Sequence, residues 1–231
     1  MKKRGKLIVI DGTDGVGKAT QTKLLIERLR REKKKVETLD FPQYTQNFFG
    51  AFVGECLSGQ HGDFLALSPR IASVLYAADR FESKDTIERW LAAGKTVVLD
   101  RYVSANQIHQ GGKIHDAKKR KEFLTWLDTM EHKVFGLPRP DLIVYLGLPV
   151  PLSLQLLKEK KAKEKKSYLK KGGRDAHEGS VEHLLAAQKN ALRIIEKSAR
   201  WKKIDCAQGG VILPREVIQE QVYAVVTQIL K

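Results

Sequence analysis

The sequence predicts an α/β fold in which a five-stranded parallel sheet lies between two layers of helices. Short apolar or β-branched runs, typical of strands covered on both faces, occupy residues 7–10, 36–39, 96–99, 142–146 and 203–205. Segments with helical periodicity alternate with these runs, at residues 18–32, 47–57, 69–93, 118–135, 151–163, 179–197 and 215–231. Strands that alternate with helices are joined by right-handed crossovers into a parallel sheet. No repeat or change of composition marks a second domain, so residues 1–231 are expected to form one domain.

The composition limits the class of protein. A length of 231 residues with 42% hydrophobic residues suits one α/β domain with a substantial core. No segment approaches the roughly 20 apolar residues of a membrane span, and no signal peptide is expected at the N-terminus. Cys56 and Cys206 lie far apart without metal-site spacing, so we expect reduced thiols in a cytoplasmic protein. The net charge of +15 attracts anions, which leaves nucleic acid, nucleotide phosphates and a merely basic surface open.

A glycine-rich loop follows the first predicted strand, in the sequence DGTDGVGKAT at 11–20. Such a loop, when it leads into a helix, presents successive backbone N–H groups to an anion, and its lysine reaches the β- and γ-phosphates of a nucleotide. An ordinary turn with an exposed lysine is the alternative. The predicted ATP-binding residues of the loop are Gly12, Thr13, Asp14, Gly15, Val16, Gly17, Lys18, Ala19 and Thr20.

Ala19 departs from this pattern, which has Ser or Thr after the lysine as a hydroxyl ligand for Mg²⁺. Thr20 lies about 100° further round the helix and is not expected to replace that hydroxyl. The sequence therefore predicts that Mg²⁺ is held by phosphate oxygens and water, and through water by the carboxylates of Asp14 and Asp100.

Three predicted strands end in charged or polar residues, at Asp11, at Asp40 and at Asp100-Arg101-Tyr102. The carboxyl ends of parallel strands meet at one edge of the sheet, where ligands of α/β sheets bind. An arginine at that edge grips a phosphate in bidentate fashion, while the neighbouring carboxylate orients water or metal. A buried ion pair that closes the strand is the alternative.

Tyr76 and Arg80 lie four residues apart on one face of a predicted helix. An aromatic ring beside a guanidinium suits a flat base with carbonyl acceptors, whereas a core tyrosine with a surface arginine is the plainer alternative. Further along, eight lysines lie within 158–171 and are followed by glycines and Arg174. The segment of about 163–180 is predicted to be a mobile lid whose Arg174 closes over the transferring phosphate, with a solvated charged face as the alternative.

Taken together, these motifs make the chain resemble the thymidylate kinases from residue 7 to about residue 205. The resemblance rests on FPQY at 41–44, YAADR at 76–80, DRYVSAN at 100–106, DLIVYL at 141–146 and RDAHE at 174–178. It implies the three-layer α/β/α fold of P-loop NTPases and a homodimer. The implied reaction is transfer of the γ-phosphoryl group of ATP to dTMP, with Mg²⁺ as cofactor.

The resemblance also implies roles for acceptor-site residues. Tyr76 matches the aromatic residue that stacks on thymine, Arg80 the arginine that reads a thymine carbonyl, and Asn106 a base or sugar contact. His109 falls where relatives often carry a tyrosine that crowds out a ribose 2′-OH. The expected dTMP-binding residues are Asp14, Phe41, Pro42, Arg70, Tyr76, Arg80, Arg101, Asn106, His109, Gln110 and Glu178.

Two departures from the family assign further arginines. Some relatives carry a catalytic arginine in the phosphate loop, where this chain has Gly15, so Arg174 of the lid is expected to supply it and to contact ATP. Relatives carry an arginine after FP, which FPQY lacks, so Arg101 or Arg70 is expected to bind the acceptor phosphate. The expected catalytic residues are Lys18, Asp14, Arg101 and Arg174.

Two other functions stay open at this stage. A kinase for another monophosphate such as dUMP, or for a deoxynucleoside, would differ at Arg80 and His109. A nucleic-acid-binding P-loop ATPase is favoured by the net charge and the lysine run. However, the sequence contains no guanine-specificity tetrad or nucleic-acid module, and its aromatic residues are not interleaved with the lysines, so a nucleic-acid partner is not expected. No membrane partner is expected either.

Overall fold

The computed structural model describes residues 3–163 and 181–230, without the side chains of 160–163. Arg174, Glu178 and nearly all of the predicted lid at 163–180 lie outside the described residues. Within the described ranges, strands alternate with helices as the sequence predicts. The strands that position the candidate site all fall inside these ranges.

Five parallel strands form the central sheet, which confirms the predicted fold class. The strands are β1 (Leu7–Asp11), β2 (Val36–Asp40), β3 (Thr96–Asp100), β4 (Leu142–Gly147) and β5 (Trp201–Asp205). Their spatial order is β2-β3-β1-β4-β5. Asp100 pairs with Ile10 of β1 on one side and with Asp40 of β2 on the other, so the carboxyl ends of these strands meet at one edge.

Helices cover both faces of the sheet and give the predicted three layers. They are α1 (Lys18–Arg31), α2 (Phe48–Leu57), α3 (Pro69–Glu82), α4 (Lys84–Ala92), α5 (Val103–Gly112), α6 (Ala117–Thr129), α7 (Val150–Lys163), α8 (Val181–Ile195) and α9 (Arg215–Ile229). Alternate residues of β1 face opposite layers, because side chains alternate along a strand. Ile8 and Ile10 pack with α1 and α9, whereas Leu7 and Val9 pack with α4, α5 and α8. None of the helices within 3–163 and 181–230 is long and apolar enough to cross a membrane.

Helix α5 is absent from the sequence prediction, and packing rather than propensity explains its presence. It ends in two glycines, which favour helix poorly. At Gly112 an added Cβ would lie 3.0 Å from the backbone of Ala187 in α8, so only a glycine allows the two helices to approach this closely. The close contact with α8 therefore supports α5 and fixes its side chains relative to the sheet.

Three smaller differences arise from local hydrogen bonding that periodicity does not report. The predicted helix at 69–93 divides into α3 and α4 at Ser83, where ψ is −1°. The predicted helix at 118–135 ends in a π-helical turn, Met130–Val134. A short antiparallel hairpin, Ala207–Gln208 paired with Val211–Ile212, follows β5.

Candidate active site

The glycine-rich loop connects β1 to α1 with a backbone that glycine alone adopts readily. Gly15 and Gly17 have φ values of +80° and +88°. At Gly15 an added Cβ would also lie 2.5 Å from the carbonyl oxygen of Ser153, whereas at Gly17 it would meet no atom within 4 Å. Helix α1 begins after Gly17 without a side-chain cap and without an acidic residue in its first turn. Its first N–H groups therefore remain available to an anion.

Lys18 is buried at the centre of this loop, unlike the exposed lysine of the alternative interpretation. Its Nζ donates to the carbonyl oxygens of Gly12 (3.1 Å) and Thr13 (2.8 Å) and lies 3.9 Å from a carboxylate oxygen of Asp14. Burial and the nearby Arg101 lower the pKa of Lys18 to about 8. The ammonium is thus held among loop carbonyls at the position from which it would contact a phosphate.

The remaining loop residues divide between the core and the surface. Val16 is buried in the core, and Thr13 is buried with a hydroxyl that makes no hydrogen bond to a described residue. Ala19 and Thr20 are exposed at the start of α1. Ala19 has no hydroxyl, so the prediction that the usual Ser or Thr ligand of Mg²⁺ is missing stays a prediction about how the ion is held.

Asp14 and Arg101 form an ion pair at the edge of the sheet. Arg101 follows β3 with a φ of +66°, a left-handed conformation that costs energy in a residue other than glycine and that often marks functional sites. Burial acts to raise the pKa of Asp14, but Arg101 and Lys18 outweigh it and hold that pKa well below its usual range. Asp14 is therefore fully ionised, and its charge is already shared between two cations.

Asp11 and Asp100 lie beside this pair and differ in their hydrogen bonds. Asp11 is fully buried and accepts from the Gly12 N–H (2.8 Å) and the Ser104 hydroxyl (2.5 Å). Asp100 is half-buried at the end of β3. Burial raises the pKa of both carboxyls, opposed by the charges of Lys18 and Arg101. Among the described hydrogen bonds, Asp14 accepts from a guanidinium and Asp11 from a hydroxyl, whereas Asp100 accepts from neither kind of group.

A second cluster joins α3 and α5 to the π-helical turn through Glu131. Glu131 is fully buried and accepts from Arg80 Nε (2.8 Å) and Arg80 Nη2 (2.7 Å). The amide nitrogen of Asn106 donates to Glu131 (2.9 Å) and to the carbonyl oxygen of Ser73 (3.1 Å). Arg80 is only 2% exposed, so the surface arginine of the alternative interpretation is not found. The cluster fixes the direction in which Arg80 and Asn106 present their other polar atoms.

The other predicted acceptor residues occupy varied places. Tyr76 is half-buried, with its ring 5.8 Å from that of Phe64. Phe41 is buried in the core, with its ring centre 6.0 Å from that of Tyr102, and its predicted contact with dTMP stays a prediction. Arg70 is exposed, and its guanidinium lies 5.1 Å from the ring centre of Trp126.

Pro42 and Gln110 are the remaining predicted acceptor residues within the described ranges. Pro42 is half-buried and joined to Phe41 by a cis peptide bond. Gln110 is buried on α5, and its amide oxygen makes no hydrogen bond to a described residue. Neither contacts the Asp14–Arg101 pair through a hydrogen bond in the described ranges, so their predicted roles stay predictions.

His109 links the ion pair to α8. One ring nitrogen, Nε2, lies 3.2 Å from Arg101 Nη1, and the other, Nδ1, lies 3.2 Å from Nε2 of His183. The two imidazole rings have centroids 5.4 Å apart and planes 16° from parallel. His109 thus contacts the predicted phosphate-binding arginine as well as a residue of a distant helix.

Sequence reasoning missed three residues of this site: Ser104, Glu131 and His183. Ser104 follows a strand-end motif and was within reach of it, because it lies one helical turn from Arg101. Glu131 and His183 carry no local signal. They meet their partners across 51 and 74 residues of sequence, respectively. Arg174 and Glu178, by contrast, lie outside the described residues, and the structure gives them no position.

Comparisons with known proteins agree in pointing to one family. A family model described as thymidylate kinase matches residues 10–208. The thymidylate kinase of Mycobacterium tuberculosis is 35% identical over 147 residues, which are 64% of this chain and 68% of that protein. The thymidylate kinase of Homo sapiens is 31% identical over 146 residues, which are 63% of this chain and 62% of that protein.

A solved structure gives a match along nearly the whole chain. A thymidylate kinase structure from Candida albicans matches with a TM-score of 0.68 and 24% identity, covering 97% of this chain and 92% of that one. At that identity the structural match supports the fold alone. The sequence matches and the family model, unlike the structural match, are evidence for the family itself.

Proposed function

This chain belongs to the thymidylate kinase family and is a phosphotransferase, and on that premise we propose that it transfers the γ-phosphoryl group of ATP to dTMP, giving ADP and dTDP. The donor nucleotide would lie on the glycine-rich loop, and the acceptor would lie between the Asp14–Arg101 pair and the Glu131 cluster. The argument for the acceptor rests on the hydrogen-bond directions in that cluster.

The orientation of Asn106 is the observation that carries the choice of base. A carboxylate oxygen and a backbone carbonyl both accept hydrogen bonds, so only the amide NH₂ of Asn106 can face Glu131 and Ser73. Its two hydrogens are then used, and its carbonyl oxygen is left as an acceptor. Arg80 has Nε and Nη2 on Glu131, which leaves Nη1 as a donor.

An acceptor beside a donor matches one pyrimidine edge and repels the other. Thymine presents an N3–H donor and an O4 acceptor, whereas cytosine presents an acceptor at N3 and a donor at its amino group. A site built to hydrogen-bond one pattern rejects a ligand that leaves its buried polar groups unpaired. Glu131, through Asn106 and Arg80, therefore favours thymine or uracil over cytosine.

Arg101 is the arginine best placed for the acceptor phosphate. It lies at the ligand-binding edge of the sheet beside the phosphate loop, whereas Arg70 is exposed and stacked near Trp126. In the complex, a phosphate would share the Arg101 guanidinium with Asp14. Arg101 would thus replace the arginine that is missing from FPQY.

Magnesium fits this site as an ion brought by the nucleotide. Among residues 3–163 and 181–230 no group of three or more His, Cys, Asp or Glu side chains is arranged to hold a metal. Mg²⁺ commonly keeps several waters and binds one or two carboxylates together with substrate phosphates. Asp100 is better placed than Asp14 to accept one of those waters, since Asp14 is already paired with Arg101 and Lys18. When bound, the ion would neutralise charge on the phosphates.

The chain's own contribution to the reaction is positioning and charge neutralisation. The acceptor phosphate is already an anion, so the transfer needs no general base. Lys18 would exchange its loop carbonyls for phosphate oxygens, and Arg101 would hold the acceptor in line. Arg174, from the sequence motif, is proposed to close over the transferring group and to exclude water together with its segment.

A homodimer through α3 is the proposed assembly. Ile71, Val74 and Phe81 recur on one face of α3 and are exposed, and Phe48 on the adjacent α2 is 74% exposed. Exposed apolar side chains grouped in this way mark interaction surfaces. Val74→Glu is expected to convert a dimer to a monomer in light scattering. Val217→Glu on α9, a valine of nearly equal exposure, is the matched control (40% against 43%). A dimer that persists in Val74→Glu would contradict this surface.

A cytoplasmic location is proposed from the thiols. Cys56 and Cys206 are free and buried, which suits a reducing compartment. Burial, the larger cause, raises the pKa of Cys206 to about 12, so this thiol is unreactive.

A coupled kinase assay tests the proposed function. We expect ATP turnover with dTMP or dUMP as acceptor, at most weak turnover with dCMP and thymidine, and loss of activity in excess EDTA. Equal rates with dCMP would contradict the hydrogen-bond argument, and full activity in EDTA would contradict the magnesium requirement. Salt-sensitive DNA binding without dTMP-dependent turnover would instead support a nucleic-acid-binding ATPase.

A further inference from the structure

A chain of side-chain contacts connects helix α8 to the edge of the sheet. It runs from His183 on α8 to His109 on α5, and from His109 to Arg101 after β3. Arg101 in turn is ion-paired with Asp14 of the phosphate loop. His183 therefore reaches the proposed phosphate-binding arginine without touching it.

The chemistry of arginine fixes which ring nitrogens of His109 and His183 carry protons. A guanidinium only donates hydrogen bonds, so the His109 Nε2 that lies 3.2 Å from Arg101 must accept. A neutral imidazole that accepts at Nε2 carries its proton on Nδ1, and His109 therefore donates from Nδ1 to His183 Nε2. His183 accepts at Nε2 and carries its own proton on Nδ1. One tautomer of each ring satisfies both contacts.

The neutral state of both rings agrees with their surroundings. Burial lowers the pKa of His109 well below its usual range, with Asp14 acting in the opposite direction and Arg101, His183 and Lys18 in the same direction as burial. Burial and Lys113 lower the pKa of His183, again opposed by Asp14. Both imidazoles are thus uncharged near neutral pH and can each donate once and accept once.

The packing of α5 against α8 holds the two rings at this distance. Asn190 of α8 donates to the carbonyl oxygens of Gln107 (2.7 Å) and Ile108 (3.2 Å) in α5. At Gly112 the helices lie so close that an added Cβ would be 3.0 Å from the backbone of Ala187, tighter than most Cβ contacts. The His109–His183 contact is therefore part of a fixed interface between two helices and does not rest on one flexible side chain.

We propose that His183 is a positioning residue for the kinase reaction, because it fixes the tautomer and ring plane of His109 and so the direction in which Arg101 presents its guanidinium to the acceptor phosphate. This inference rests on the proposed function. Without His183, the Nδ1–H of His109 loses its acceptor, and the contact with Arg101 is the one described contact that still favours this tautomer. Of the side-chain contacts of Arg101 that the described residues make, the ion pair with Asp14 would then remain.

Two substitutions of His183 separate positioning from general structure. Glutamine places an amide oxygen close to the position of Nε2 and keeps the acceptor, whereas leucine keeps bulk and removes it. We expect His183→Leu to lower kcat/KM for dTMP by about tenfold, as the loss of a hydrogen bond predicts, mainly through KM, with KM for ATP within about twofold. His183→Gln is expected to stay within about twofold of the original chain. His115→Leu, which removes an exposed histidine, is the control.

A spectroscopic measurement tests the contacts from His183 through His109 to Arg101 without any kinase assay. Long-range ¹H–¹⁵N spectra of the protein labelled at histidine report which ring nitrogen carries the proton. We expect the Nδ1–H tautomer for His109 and His183, and loss of the single His109 tautomer in His183→Leu.

The outcomes distinguish this proposal from the proposed function. An Nε2–H tautomer for His109 in the unmodified chain would overturn the proposal, as would equal losses in the leucine and glutamine variants. An unchanged KM for dTMP in His183→Leu would overturn it as well. Absence of dTMP phosphorylation in the unmodified chain, with the expected tautomers present, would instead contradict the function and leave the hydrogen-bond chain standing.

Discussion

Replacing Glu131 with glutamine changes one atom of a buried carboxylate on which three hydrogen bonds converge. Glutamine keeps one acceptor oxygen and replaces the other with an NH₂ group. That group must face a donor: Arg80 Nε in one orientation, or Arg80 Nη2 together with the amide of Asn106 in the other. The buried guanidinium of Arg80 also loses its counter-ion, since Glu131 is its partner in the described ion pairs.

The size of the effect follows from burial. Removing one partner of a buried ion pair costs about 3–5 kcal/mol, and the retained oxygen recovers about 1.5 kcal/mol as a hydrogen bond to a charged group. Glu131→Gln is therefore expected to lower the free energy of unfolding by about 1.5–3.5 kcal/mol. Because the Asn106 amide can then reverse, the ratio of kcat/KM for dTMP to that for dCMP is expected to fall about tenfold or more.

Urea denaturation followed by tryptophan fluorescence measures the first effect, and the coupled kinase assay measures the second. The matched control is Asp128→Asn, which breaks an equally bidentate pair with Arg139 on the surface, with N–O distances of 2.6 and 2.7 Å. The cost there is expected to be about 0–1 kcal/mol because the pair is exposed. If Glu131→Gln lost no more stability than Asp128→Asn and kept its base selectivity, the reasoning about the cluster would be wrong.

Three further predictions concern the phosphate loop and the lid motif. The pKa of Lys18 is lowered to about 8, and the charged form of Lys18 binds phosphate. The value of kcat/KM for ATP should therefore be constant below that pH and fall above it, and a profile that is flat to pH 10 would contradict this. Gly17→Ala is expected to lower the free energy of thermal unfolding by about 1–2 kcal/mol, because alanine at that position must adopt a positive φ. Gly15→Ala is expected to lower it more, because its Cβ would also clash with Ser153. Equal losses in the two variants would exclude the clash. Arg174→Ala should lower kcat far more than it raises KM for dTMP, and unaltered turnover would refute its catalytic role.

Local patterns were enough to predict the fold. The apolar runs that became β1 to β5 and the periodic segments between them depend on neighbouring residues, and the rule that parallel strand ends converge then placed Asp100 beside Asp40. Helix α5 escaped prediction because its stability comes from α8, which lies far along the chain, and its glycines argue against a helix locally.

The candidate site likewise has a part that local sequence predicted and a part that depends on residues distant in the sequence. The phosphate loop and the Asp100-Arg101 motif were visible because each is a short sequence with a fixed geometry. The plainer interpretation of Arg80 as a surface residue was wrong, since sequence spacing cannot report a buried counter-ion 51 residues away. The resemblance to a family suggested Arg80 and Asn106 as base contacts, but it did not show which of their atoms point toward a base.

The sequence by itself determined the α/β class, the anion-binding loop with its missing hydroxyl at Ala19, and the family. These depend on periodicity and on residues adjacent in the chain. Only the tertiary structure decided the direction of each polar group in the site, because Asn106 meets Glu131 across 25 residues of sequence and His109 meets His183 across 74. Hydrogen-bond direction depends on which donor meets which acceptor in space, and folding alone brings those partners together.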